Sequence, residues 1–345
     1  MMNPNDLAHC KEAIRHGSLS FYAASKLLPA KVRDPALALY AFCRLADDAV
    51  DLHEEKGAAV LTLRDRLDLI YRGQPRNTPA DRAFAAVIDT YEMPRALPDA
   101  LLEGLAWDAM GRQYQTLSEL FDYSARVAAA VGAMMCVLMR VRDYDALARA
   151  CDLGVAMQLT NISRDVGEDA RERRMYLPLD WLEEAGIDPD AFFADPLPDE
   201  RVRAMVRRLL REAEKLYLRS EAGIPALPRK ARPGIYAARH VYAGIGGAIR
   251  RNGYDTVSYR AHTYRSQKLG WLGLSVLRTG VTMVMPKSAV LYAKPLDETR
   301  FLVDAAARSA PSVNAWGDGR SGALISALAT LEARDRRLHL EHFGA

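Results

Sequence analysis

Apolar residues recur at three- and four-residue intervals along most of the chain, and no run of alternating β-branched residues interrupts them. That period predicts an all-α protein. Helices are expected at 5–16, 18–28, 35–54, 57–72, 80–92, 98–117, 119–141, 143–171, 198–223, 231–252, 258–284 and 321–341. The breakers fall between them: Pro29, Gly73-Gln74-Pro75, Pro94 and Pro98, Pro189 to Pro198, Pro225 to Pro233, and Pro311 to Gly322. Asp34-Pro35 reads as a helix start, a capping carboxylate followed by a proline at the first helical position. No linker, repeat or low-complexity tract divides the pattern. A single helical domain over 1–308 is expected, with 309–345 a C-terminal loop and helix packed on it.

Two stretches put acidic side chains on one helix face. In GVAMQLTNISRDVGEDARERRMYLP (154–178), Asn161, Asp165 and Asp169 follow at intervals of four, with Gln158 one turn earlier and Arg164 alongside. With Glu168 they fall within roughly a third of the circumference. Like charges stacked this way destabilise a helix by about 0.2–0.5 kcal/mol per pair, so the stripe calls for a cation against it. A matching stripe lies in LYAFCRLADDAVD, where Tyr40, Arg44, Asp47 and Asp51 share a sector of roughly 60°. One acidic i,i+4 pair is ordinarily a solvated face making salt bridges. Two with the same spacing, each beside an arginine, suit two sets of oxygen ligands for Mg²⁺, with Mn²⁺ as the alternative. The arginines suit a phosphate bound to that metal.

Composition narrows the class. Of 345 residues half are hydrophobic and 26% charged, and the net charge of +3 is too balanced to indicate nucleic acid as a partner. The four cysteines, at 10, 43, 136 and 151, have neither CxxC nor metal-site spacing, which points to a reducing, cytoplasmic setting. The first twenty residues have no apolar stretch of the signal-peptide kind. Leu269 to Tyr292 is the best candidate for a membrane segment, but Arg278, Pro286 and Lys287 interrupt it, so it is expected in the core or on a membrane surface. The basic run Arg201 to Arg219 alternates with Val, Met and Leu and reads as the solvated face of an amphipathic helix, with a membrane-surface role as the lesser expectation. His339 and His342 have ligand-like spacing and no third partner.

Leu153-Gly154, Gln158, Asn161-Ile162, Arg164-Asp165, Asp169, Arg174, Tyr176 and Pro178 resemble the long signature of the squalene/phytoene synthases. The alanine-rich run from Tyr123-Ser124 to Val131-Gly132 is similar to a second family stretch, and the resemblance extends over nearly the whole chain. It implies the isoprenoid synthase fold, an all-α domain with its active site in a central cavity. It also implies a prenyltransferase of carotenoid biosynthesis that joins two prenyl diphosphates head to head. By position, Asp47, Asp51, Asn161, Asp165 and Asp169 would hold Mg²⁺, the four aspartates being the catalytic set. Ser18, Ser20, Tyr40, Arg44, Gln158, Arg164, Tyr176, Tyr242 and Arg260 would contact the substrate.

The implied chemistry fits these residue types. Metal and arginine stabilise a leaving diphosphate without proton transfer, and apolar walls protect the resulting cation. The cation would be attacked by the C2=C3 bond of a second substrate to give a cyclopropylcarbinyl diphosphate, which ionises in turn. In C15-using relatives bulky side chains on the first helices look to close the pocket. The matching positions here are Ser25 and Leu37, neither carrying a large ring. Geranylgeranyl diphosphate (C20) is therefore the expected substrate and 15-cis-phytoene the product. A C15 enzyme making dehydrosqualene or presqualene diphosphate is the alternative, and a non-catalytic assembly or interaction relative is the alternative of another class. No GxGxxG loop is present, and Gly244-Ile245-Gly246-Gly247 reads as close packing inside a helix, so no NADPH is expected. A peripheral contact with the inner membrane surface for product release is the remaining expectation.

Overall fold

Proline, cap residue and apolar period together set where each helix begins. The computed structural model describes residues 2–52, 56–283 and 285–307, the side chains of residues 19–20, 46–52, 56 and 265 excepted. Among the described residues there are fifteen α-helices and no strand. They are α1 (Pro4–Gly17), α2 (Leu19–Ser25), α3 (Ala30–Leu52), α4 (Lys56–Tyr71), α5 (Pro79–Tyr91), α6 (Ala96–Ala109), α7 (Leu117–Ser124) and α8 (Ala130–Leu138). Then come α9 (Tyr144–Arg171), α10 (Leu179–Glu184), α11 (Pro189–Ala194), α12 (Glu200–Glu221), α13 (Arg232–Arg251), α14 (Arg265–Val281) and α15 (Arg300–Ala307).

α9 is the axis of the domain. Its 28 residues span about 42 Å, and α8, α12, α13 and α15 all pack on it. Asp143 caps its start, accepting from the Ala146 amide at 2.9 Å. A Cβ on Gly154 would stand 2.5 Å from Ala129 Cα, so only glycine lets the two backbones approach this closely. The neighbouring helix contains a π turn at Ala125–Ala129 between α7 and α8, where a single helix over 119–141 was expected. Such turns are rare and tend to sit at functional sites; this one contributes Val127 and Ala128 to the central cavity wall. α12 buries Val202, Met205, Val206, Leu209 and Leu216 and exposes Arg201, Arg208 and Arg211, the expected amphipathic arrangement, while Arg219 turns inward to buried Asp152.

Several boundaries differ from expectation for identifiable reasons. α3 starts at Ala30, and Pro35 lies inside it instead of opening it. Pro35 has no N–H to offer the Lys31 carbonyl, and the Tyr91 hydroxyl donates to that carbonyl instead at 3.0 Å. The helix expected over 98–117 stops at Ala109, ahead of Gly111 at φ 62°. Pro189, read as a breaker, is the first residue of α11, with Asp188 as its cap. The expected helix over 258–284 begins only at Arg265, because Asp255 Oδ1 accepts from the amides of Val257 and Ser258 and holds a turn there. α15 was not anticipated. The expected helix 321–341, His339 and His342 lie outside the described residues.

Among the described helices, α14 packs substantially on α13 alone. A Cβ on Gly244 would lie 2.1 Å from the Trp271 ring, so that glycine serves close packing, whereas a Cβ at Gly246 or Gly247 would meet only ordinary contacts. Beside it, His240 Nδ1 lies 3.0 Å from Ser275 Oγ. That hydroxyl gives its hydrogen to the Trp271 carbonyl at 2.6 Å, so at His240 it accepts and Nδ1 carries the proton. Burial, aided by Arg239 and Arg278, pulls the His240 pKa down to about 4. Between that value and the ordinary histidine value near 6.5 the unfolded chain binds a proton that the native one does not, so stability falls as pH drops through the window. The α13–α14 contact should therefore loosen between about pH 6.5 and 4, and His240→Gln should flatten that slope. Hydrogen exchange of α14 amides across the range checks it.

Candidate functional site

α2, α3, α9 and α13, the π turn and α8 enclose a cavity of about 370 Å³. Most of its wall is apolar: Leu28, Ala36, Leu39, Leu101, Val131, Met135, Met139, Ala150, Leu153 and Met157. Apart from Ser25, Arg149 and Ser220, the polar side chains on the wall are Tyr40 of α3, Gln158 and Asn161 of α9, and Tyr242 of α13, toward one end. α3 and α9 both run from the apolar depth toward this end, since Ala36 and Leu39 precede Tyr40 and Cys43, and Ala150 and Leu153 precede Gln158 and Asn161. One turn beyond Cys43 is position 47, and one turn beyond Asn161 is Asp165. The two D-x-x-x-D segments thus emerge at the same mouth.

At that mouth Asp165 lies between two guanidinium groups. Arg164 donates from Nε to Oδ1 at 2.8 Å and from Nη2 to Oδ2 at 2.5 Å. Arg260, arriving from the loop before α14, donates from Nε to Oδ1 at 2.9 Å and pairs with Glu168 at 3.2 Å. Asp169, one turn on, has its carboxyl pushed up to about 8, first by burial and then by the Asp165 charge. A buried carboxylate raised in this way is a group that a cation would hold in its charged form. Among the described residues no three acidic, His or Cys groups make a finished metal cage. The described donors Asn161, Asp165 and Asp169 are all oxygen, which fits a hard divalent ion bound in part by its substrate.

Around the mouth, Phe21 packs on Tyr242 at 5.2 Å and on Tyr40 at 6.4 Å, so three aromatic rings meet there. Burial pushes the Tyr242 hydroxyl up to about 12, which keeps it a neutral donor. Ser18 caps α2, its Oγ accepting from the Phe21 amide at 3.3 Å and retaining its own hydrogen for a ligand. Asn161 Nδ2 donates to Gln158 Oε1 at 3.5 Å.

Gln158, Asn161, Tyr40 and Tyr242 therefore come together on the cavity wall, and Arg164, Asp165, Asp169 and Arg260 form the rim. Arg44 lies one turn past Tyr40 on α3. The side chains of Ser20, Asp47 and Asp51 lie outside the described residues. Tyr176 differs from expectation. It is not on the cavity wall but stacks with Tyr123 at 5.3 Å and donates to Asp108 Oδ1 at 2.8 Å, while Tyr123 donates to Oδ2, also at 2.8 Å. Burial and the Asp108 charge raise its pKa. Leu37 is also displaced. It is buried in the core, and its neighbour Ala36 is the residue on the cavity wall, because one step along a helix turns the side chain by about 100°. Ser25 does line the cavity, with its hydroxyl turned back onto the Tyr22 carbonyl at 2.8 Å. Asp108 and Phe21 had no motif to mark them.

Comparison with known proteins gives a consistent result. The family model for squalene/phytoene synthase matches residues 14–267. The chain is 62% identical to a phytoene synthase of Cereibacter sphaeroides, covering 100% of this chain and 98% of that one. It is 56% identical to a phytoene synthase of Rhodobacter capsulatus, covering 99% and 100%. Among solved structures, a crystal structure of a dehydrosqualene synthase in complex with a ligand superposes with a TM-score of 0.75 at 30% identity, covering 80% of this chain and 97% of that one.

Proposed function

The chain belongs to the squalene/phytoene synthase family, and from that premise we propose that it joins two geranylgeranyl diphosphates head to head to give 15-cis-phytoene in carotenoid biosynthesis. The observation that carries this reading is a long apolar cavity ending at a single mouth where the carboxylates and arginines converge. A prenyl diphosphate has the same two parts, an apolar chain and an anionic head.

Asp165, Asp169 and Asn161, with Asp47 and Asp51 of the facing segment, would hold Mg²⁺ or Mn²⁺. The metal, when bound, neutralises charge on the diphosphate so that the allylic C–O bond can break. Arg164, Arg260 and Arg44 bind the remaining phosphate oxygens. Ser18 and Tyr242 donate to them as neutral groups. As diphosphate leaves, the faces of Phe21, Tyr40 and Tyr242 lie beside the developing allylic cation, which ring quadrupoles favour. The apolar wall from Val131 to Met157 keeps water from trapping it. The C2=C3 electrons of the second substrate form the new bond, and loss of a proton closes the cyclopropane. Ionisation of that diphosphate, rearrangement and loss of a second proton give the hydrocarbon, with two diphosphates released in all. Tyr176 lies off the cavity wall, close enough to Asp169 for that charge to bear on its hydroxyl.

Ser25 lines the cavity from α2 without a large ring to shorten it. Geranylgeranyl diphosphate with Mg²⁺ should give phytoene, and farnesyl diphosphate should be the poorer substrate. Ser25→Phe would place a ring in the cavity and should shift preference toward the C15 substrate, as should Ala36→Phe on the facing helix. Product identification from paired incubations reads both. No hydrocarbon from either substrate overturns the enzymatic reading, and an unchanged C20/C15 ratio in both variants overturns the pocket assignment. Dehydrosqualene from the C15 substrate is the second reading, favoured by the superposition on a dehydrosqualene synthase. The reaction is placed in the cytoplasm, at the inner membrane surface, since its product is a lipid.

A further inference from the structure

Eleven of the sixteen exposed large apolar side chains among the described residues fall between Tyr259 and Tyr292. Single exposed apolar residues are ordinary on a protein surface; a contiguous run is not. Taking 100° per residue, the outward arc of α14 from Val276 through Leu269, Gly273, Leu277 and Val281 to Leu274 spans about 160° and contains no charged side chain. Leu269 is 69% exposed and Leu277 66%. The surface continues beyond the helix through Met283, Met285, Val290 and Tyr292. A Cβ added at Gly270, Gly273 or Gly280 would meet nothing within 4 Å among the described residues, so no packing there accounts for these helix-weakening residues.

Charge says what the surface fits. From Thr256 to Leu296 the sequence has Arg260, Arg265, Lys268, Arg278, Lys287 and Lys294, and no Asp or Glu. Apolar side chains with a one-sided cationic border suit the interface of an anionic bilayer. We propose that α14 and the described residues that follow it, 282–283 and 285–292, form a docking surface for an anionic lipid membrane, lying in the interface and not crossing it. The 17 residues of α14 reach about 25 Å, short of a hydrocarbon core of about 30 Å, and Pro286 follows closely. A second copy docked symmetrically would set this cationic surface against itself. The segment 308–345 has five arginines against four carboxylates and so carries no net negative charge to match it.

The position also fits a lipid enzyme. Trp271 and Ser275 hold α14 on one face of α13, and Gly234, Ile235, Ala238 and Tyr242 on that same helix line the cavity. One helix thus separates the membrane-facing surface from the substrate chamber. The docking surface rests on exposure and charge and stands apart from the reading of the substrate.

Sedimentation of the full chain with vesicles tests it. Binding is expected at low salt to vesicles of phosphatidylcholine and phosphatidylglycerol in equal parts, at least tenfold weaker to phosphatidylcholine alone, and weaker in high salt. Leu269→Asp with Leu277→Asp should cut binding at least tenfold, and Met285→Asp, outside the helix, should act in the same direction. Arg278→Gln and Lys287→Gln should each cost about fivefold. Thermal unfolding and turnover of detergent-dispersed substrate should stay unchanged in all of these, which separates a docking defect from a catalytic one. No binding to the anionic vesicles, variants that bind as well as the wild type, or a fall in oligomeric mass in the aspartate variants would overturn the proposal.

Discussion

Asp165→Asn should lower product formation from geranylgeranyl diphosphate by about a thousandfold, the upper range for losing one electrostatic group at a reacting centre. Asparagine keeps the shape and can still accept a hydrogen bond, but it removes the negative charge that Arg164 and Arg260 both share. It also replaces one charged proposed metal ligand by a neutral amide oxygen, which holds a divalent ion less strongly. The carboxyl of Asp169 should fall part of the way back from about 8, since Asp165 is the second cause of its shift and burial the first. Turnover at saturating substrate and Mg²⁺, with thermal unfolding as the control for folding, is the measurement. Activity within tenfold of the wild type would remove Asp165 from the catalytic set.

Arg149→Met should destabilise the fold by about 3 kcal/mol, the lower end for breaking a buried ion pair. Arg149 is 1% exposed; its Nε lies 2.7 Å from Asp152 Oδ2, and both side chains are out of solvent. Its Nη1 also donates to the carbonyls of Val290 at 2.6 Å and Ala293 at 2.9 Å, which ties residues 289–294 to α9. The lower figure is expected because Arg219 remains at 3.1 Å from Asp152 and keeps it partly paired. Converting both residues, Arg149→Met with Asp152→Leu, should recover much of the loss, since an apolar pair of similar volume carries no desolvation cost. Denaturant unfolding of the single and double variants decides it; a single variant within 1 kcal/mol of the wild type would show that the pair contributes little.

What the sequence made legible follows from the range of each interaction. The α9 stripe could be read because one helix fixes the mutual placement of Gln158, Asn161, Arg164, Asp165 and Asp169, and helical periodicity needs no tertiary information. The pairing of that stripe with α3 rested on matching spacing, and Tyr40 and Asn161 both line the one cavity. Leu37 was misassigned because a one-residue error in helix phase exchanges core for cavity. Asp108 and the Tyr123–Tyr176 stack were invisible because their contacts join residues up to 68 positions apart. The start of α3 was missed because the Tyr91 hydroxyl that makes Pro35 tolerable comes from another helix. The exposure of α14 was equally hidden, since an apolar helix in a core and one on a surface share the same composition.

The common direction of α3 and α9 has an electrostatic consequence. Each helix ends with carbonyl oxygens that carry the equivalent of about half a negative charge. Both negative poles lie toward the mouth that already holds the aspartates, so each dipole opposes the charges it presents. Cations such as the Arg164 and Arg260 side chains offset that field at rest. A bare diphosphate meets it as repulsion, whereas a diphosphate already carrying its divalent ions does not. Metal and diphosphate should therefore raise each other's affinity by the same factor, as any two coupled ligands must.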